Sequence, residues 1–143
     1  MKNLNYNSNK EHAPVHKPLW KVALYTTISN VDNNENNSVV SQRKMVEEYM
    51  NLHPDMEFYD TYADNAYIGS FFKRPEFMRM MKDIIAGKIN CVIVKDLSHF
   101  SRNYMDFEIY INDLTMKYKV RFIAINNAID TIKDVTNKYI FVN

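Results

Sequence analysis

Three polar segments of this 143-residue chain carry side chains that do chemistry, and each follows an apolar run. The run over 20–26 (WKVALYT) leads into the hydroxyls of Thr26, Thr27 and Ser29, then Asn30. The run over 56–62 (MEFYDTY) leads into Asp64, Asn65 and Gly69. The run over 90–95 (NCVIVK) leads into Asp96, Ser98, His99, Ser101 and Arg102. These segments are polar while the runs before them are apolar, so together they would form a polar edge around a hydroxyl. If the three runs are neighbouring parallel strands, the segments lie beyond their carboxyl ends, where such sheets bind ligands. From position alone, solvated loops account for the same residues equally well. One polar residue stands apart. Gln42 falls on the face marked by Val39, Val46, Tyr49 and Met50, so it either finds a buried partner or looks into a site.

The elements that must position these groups follow from periodicity. Val22, Ala23 and Leu24 form the short apolar run of a buried parallel strand. The polar stretch 30–37 can cap a helix that carries Gln42. Pro75 opens a second helix at its favoured first-turn position, and Gly87 ends it. Between them, Phe77, Met80, Met81, Ile84 and Ile85 recur at three-four spacing. A longer stripe, Phe100, Tyr104, Phe107, Ile111, Leu114 and Tyr118, predicts a third helix over 100–118. A fourth strand is expected at 120–125 (VRFIAI). The order β-α-β-α-β-α-β demands right-handed crossovers. The expected fold is therefore α/β in three layers, with about four mainly parallel strands and helices on both faces. Residues 1–19 read as a disordered leader, 20–130 as the domain, and 131–143 as a tail of no clear type.

Composition removes several function classes. Two glycines, Gly69 and Gly87, leave no phosphate-cradling glycine loop. A single cysteine, Cys91, excludes intrachain disulfides, fits a reducing cytoplasm and reads as a core residue. The four histidines lack ligand spacing, so no metal site is expected. No apolar run reaches the roughly 18 residues of a membrane span, so a cytoplasmic chain without membrane contact is expected. Eighteen basic against 17 acidic residues give a net charge of +1, which disfavours whole-surface binding of a polyanion but leaves room for a local basic site.

The strings ALYTTIS (23–29), Gln42, YADNAYIG (62–69), KRPEFMRMM (73–81), IAGKINCVIVKDLSHFSRNY (85–104) and VRFIAINNAID (120–130) resemble the catalytic domain of serine recombinases. This is the resolvase/invertase family, and the likeness is strongest to its large members. It runs from about Lys21 to Asp130. The resemblance implies a resolvase-like fold and phosphoryl transfer without metal or other cofactor. In that chemistry a serine attacks a DNA phosphate, forms a phosphoserine-DNA intermediate, and paired subunits exchange ends. It further implies Ser29 as nucleophile, with Arg74 and Arg102 as catalytic phosphate-binding arginines. Tyr25, Gln42, Asp64, Ser98 and His99 take supporting positions. DNA is the implied partner, bound only weakly by this chain alone. A homodimer or tetramer is implied for a full-length protein. The DNA-binding domains of the family are expected to be absent from this chain, whether it is a fragment or a truncated gene product, because TIKDVTNKYIFVN does not read as the long helix that precedes them.

The departures from the family pattern are specific. Thr27 stands where the pattern has arginine, and His99 where it has another. Ser101 replaces a glycine, and Ile68 a serine. Losing one preorganised donor costs about 10²–10³ in rate, and two on the order of 10⁴–10⁶. The expectation is an impaired recombinase domain; the alternative is a catalytically inactive relative that dimerises or regulates.

Overall fold

The first strand, β1 (Trp20–Ile28), alternates its side chains between two cores. Val22 and Leu24 join Val46, Cys91, Ile93 and Ile123 on one face of the sheet. Ala23 and Tyr25 join Tyr62, Phe77, Met80, Ile111 and Leu114 on the other. The first face is covered by α1 (Val39–Asn51). The second is covered by α2 (Pro75–Ile85) and α3 (Tyr104–Asn112). In this computed structural model the described residues are 19–28, 39–65, 73–97 and 104–132, without the side chains of 104–107. The expected leader, apart from Leu19, and the tail beyond 132 lie outside them.

The sheet runs β2 (Met56–Asn65), β1, β3 (Cys91–Val94), β4 (Arg121–Ala124), β5 (Ile129–Asp130). The first four strands are parallel and β5 is antiparallel to β4. The chain thus steps outward from β1 to β2, then crosses to the other side of β1 for β3. In open parallel sheets ligands bind beside such a reversal, which here falls at the carboxyl ends of β1 and β3.

The sheet has one strand more than the sequence predicts. The extra strand exists because Ala128 adopts a left-handed conformation (φ 55°, ψ 39°) that turns the chain back on β4. The side chain of Asn127 accepts from Leu97 N at 2.9 Å, and Asn126 N donates to Lys95 O at 2.8 Å. Those two bonds tie the turn to the chain leaving β3. Thr131 continues the ladder through two bonds with Phe122. The third helix also differs, ending in a π-helical turn over Asp113–Lys117 that buries Leu114.

One irregularity in β2 decides where the polar residues point. Val22 pairs with Phe58 but Ala23 pairs with Asp60, so Tyr59 is an extra residue in the ladder. Before this bulge Met56 and Phe58 face α1; after it Tyr62 joins the core under α2. A β-bulge re-aims everything beyond it by one face. Asp60 and Asp64 consequently lie on the α2 side, beside Tyr25. Beyond the bulge, β2 continues through Asn65, with Thr27 opposite Asp64.

The amino-terminal end of the sheet is held separately. The side chain of Asn90 accepts from Lys21 N at 2.6 Å and donates to Leu19 O at 3.0 Å. Nearby, Arg121 makes a buried two-pronged pair with Asp130, at 3.0 and 2.8 Å.

Candidate active site

At the carboxyl end of the sheet, the first turn of α2 lacks a capping side chain of its own. Arg74 is the N-cap, in extended conformation, and makes no side-chain cap bond. Pro75 has no N–H to satisfy. The next two amides are taken by a residue from the sheet: Glu76 N and Phe77 N each donate to the Asp64 carboxylate at 2.8 Å. A carboxylate here also meets the positive end of the helix dipole.

Asp64 has a third donor. The Tyr25 hydroxyl gives its proton to Asp64 Oδ2 at 2.9 Å and accepts from Arg74 Nη1 at 3.3 Å. All three side chains are buried, Arg74 to 4% exposure. Burial raises the Tyr25 phenol far above its ordinary value; Arg74 opposes the shift and Asp64 adds to it. Tyr25 therefore keeps its proton and acts as a strut between Asp64 and Arg74, not as a base. A guanidinium is seldom buried so deeply unless its position matters, because its desolvation must be offset by bonds.

Gln42 lies on the other face. Thr26 Oγ donates to Gln42 Oε1 at 2.7 Å, with both side chains buried. The polar residue on the apolar face of α1 has thus found a buried partner, and that partner adjoins Tyr25 in β1. Tyr25, Asp64 and Arg74 form one bonded cluster, and Thr26 with Gln42 forms a second. Ser29, Ser98, His99 and Arg102 lie outside the described residues. Thr26, one of the hydroxyls the sequence places after the first apolar run, is wholly buried and serves as the partner of Gln42.

The family model described as Resolvase, N terminal domain, matches residues 22–142. The chain belongs to the resolvase family. Among solved structures it is similar to the N-terminal catalytic domain of TP901-1 integrase, with 28% identity and a TM-score of 0.75. That match covers 85% of this chain and 90% of the integrase domain. It is also similar to a resolvase family site-specific recombinase from Streptococcus pneumoniae, with 29% identity and a TM-score of 0.66 over 86% of this chain and 83% of that one. The C-terminal catalytic domain of ISC1926 TnpA, an IS607-like serine recombinase, shares the fold at 16% identity and a TM-score of 0.60, covering 82% and 76% of the two chains. No curated protein sequence matches the chain. The chain is thus a resolvase-like serine recombinase catalytic domain. Among the described residues of this resolvase relative, no group of three or more His, Cys, Asp or Glu could hold a metal. No helix of the described residues is long and apolar enough to cross a membrane.

Two buried phenols and one half-buried one give this domain a definite response to alkali. Tyr25, Tyr62 and Tyr49 are all raised, chiefly by burial, and burial pushes the Cys91 thiol up to about 12. A group with a raised folded pKa stabilises fully below its unfolded value and loses that contribution as pH climbs toward the folded one. With unfolded values of about 8.5 for Cys and 10 for Tyr, stability should be flat to about pH 8 and fall steeply above 10. Tyrosinate absorbance and far-ultraviolet circular dichroism, followed together, should show Tyr25 and Tyr62 ionising only as the helices unfold. Free titration of all ten tyrosines near the ordinary value with the fold intact would contradict the burial argument.

Proposed function

We propose that this chain is the strand-cleaving module of a DNA recombinase, impaired by two arginine replacements. In the proposed reaction the Ser29 oxygen attacks a backbone phosphorus and a new P–O ester forms. The bond from phosphorus to one deoxyribose oxygen breaks, and that oxygen leaves with a proton as the free sugar hydroxyl. Arg74 and Arg102 balance the charge that grows on the non-bridging oxygens. Tyr25 and Asp64 hold Arg74, Gln42 supports the end of β1 through Thr26, and Ser98 and His99 line the site. Reversal of the step after subunits exchange, in a dimer or tetramer, rejoins the ends.

The observation that carries this reading is the buried Arg74, held by the Tyr25 hydroxyl at the carboxyl edge of the sheet. β1 ends at Ile28, one residue before Ser29. Phosphoryl transfer relies on positioning and electrostatics, and a guanidinium fixed in advance at that edge supports both. The test is a denaturing gel of radiolabelled suicide duplex, with Ser29→Ala as control. The natural chain should give no detectable adduct near neutral pH. A Ser29-dependent adduct from the unmodified chain would overturn the impairment.

A further inference from the structure

The first turn of α2 is fastened to β2 twice. The inner fastening is Asp64, described above. The outer one is Arg79, one turn further along the helix. Its Nε and Nη2 donate to the Glu76 carboxylate at 3.0 and 2.6 Å. Its Nη1 donates to Asp60 Oδ2 at 3.0 Å, and Nη2 also reaches Thr61 O at 3.1 Å. The guanidinium carbon stands 4.1 Å from the Tyr62 ring centroid. One fork therefore joins two carboxylates, a strand carbonyl and an aromatic face.

The two fastenings share a residue. Glu76 offers its carboxylate to Arg79 and its N–H to Asp64. From Asp64 the contacts run to the Tyr25 hydroxyl and on to Arg74. We infer that Arg79 is a positioning residue for Arg74: it fixes the height and direction of the first turn of α2 against β2, and so where the guanidinium at the N-cap sits. This rests on the reading of Arg74 as a phosphate-binding group. A stability role does not account for the arrangement, because the Arg79 ion pairs are partly exposed and such pairs contribute little. Geometry does account for it. Four acceptor atoms in three directions need a planar fork, and a lysine point charge cannot serve them together.

The experiment uses the folded chain with arginine side chains labelled with ¹⁵N, reading the Arg74 Nε–H resonance and its exchange with solvent. Arg79→Ala and Arg79→Lys should both move that resonance and speed its exchange by about tenfold, as for a locally loosened turn. Asn90→Ala, which loosens the far end of the sheet, should leave it in place. A resonance unmoved in Arg79→Lys, or moved as far by Asn90→Ala, overturns the positioning role. If Arg79→Ala does not fold, Arg79→Lys decides the matter. A dinucleoside monophosphate titrated into each protein separates the two claims. If it never perturbs Arg74 in the natural chain, the phosphate reading fails while positioning stands or falls on the resonance. If it does, its affinity should drop several-fold in Arg79→Lys.

Discussion

Arginine at positions 27 and 99 together should raise the Ser29-linked adduct by about 10⁴–10⁶ over the natural chain, in a protein joined to the dimerising and DNA-binding segments of a recombinase. The expectation starts from charge. As the serine oxygen attacks, negative charge builds on the phosphate oxygens, and a cation fixed in advance stabilises it without reorganising. In the proposed reaction Arg74 is such a cation. Thr27 lies opposite Asp64 in the β1–β2 register, so it faces the same side of the sheet as Tyr25 and the Arg74 cluster. An arginine in its place enters the same cluster from the strand. Each single change should recover about 10²–10³, with the double falling short of the product if the two cations serve one oxygen. His99 adds a pH test. If its imidazolium carries residual charge, adduct from the fused Thr27→Arg protein should grow as pH falls from about 8 to 6, since an ordinary histidine titrates near 6.5. A double variant no more active than Ser29→Ala would show that the missing arginines are not what limits this chain.

The parts of this molecule legible from sequence are those governed by one periodicity at a time. Cys91–Val94 is buried on both faces and reads as an unbroken apolar run, and Arg121–Ala124 is likewise buried and apolar apart from Arg121. Pro75 and Gly87 mark the start and stop of α2, and Gly87 takes the left-handed conformation (φ 80°) such a stop requires. Gln42 was legible as an exception, and it has its buried partner. What was not legible depends on pairing between distant residues. The β2 strand was expected to stop at Tyr62. The residues that extend it, Ala63, Asp64 and Asn65, are a poor strand sequence held by the parallel register with Thr26, Thr27 and Ile28. β5 is two residues long and exists through a left-handed alanine, which no local propensity favours.

The bulge at Tyr59 is the instructive case. In MEFYDTYADN the alternating pattern places Met56, Phe58, Tyr62 and Asp64 on one face. The extra residue sends the last two to the opposite face. The sequence therefore names Asp64 as a site residue without saying which helix it meets. That it caps α2 and holds Tyr25 is a consequence of the bulge alone. The local pattern cannot show it, because a bulge is defined by the partner strand.

Asp64→Ala should cost about 3–5 kcal/mol of folding stability, read as a lower urea midpoint with an unchanged slope. The carboxylate is 3% exposed and receives three donors: the Tyr25 hydroxyl and the amides of Glu76 and Phe77. Hydrogen bonds to a charged acceptor contribute about 1.5–3 kcal/mol each, and the donors left behind are buried without an acceptor. Their simple sum exceeds the expected loss because water enters and the turn relaxes. Tyr25→Phe is the matched control. It removes one donor and leaves Asp64 bonded to the helix, so its cost should be only about 1–2 kcal/mol. In the double variant the losses should fail to add by about 1–2 kcal/mol, since the shared bond is lost once. The partition matters for function. If Asp64 acted only as a helix cap, Asp64→Ala and Tyr25→Phe would be additive, and Arg74 would be held by the helix alone. Coupling between them would instead mean that the strand, through Tyr25, helps set where the guanidinium stands.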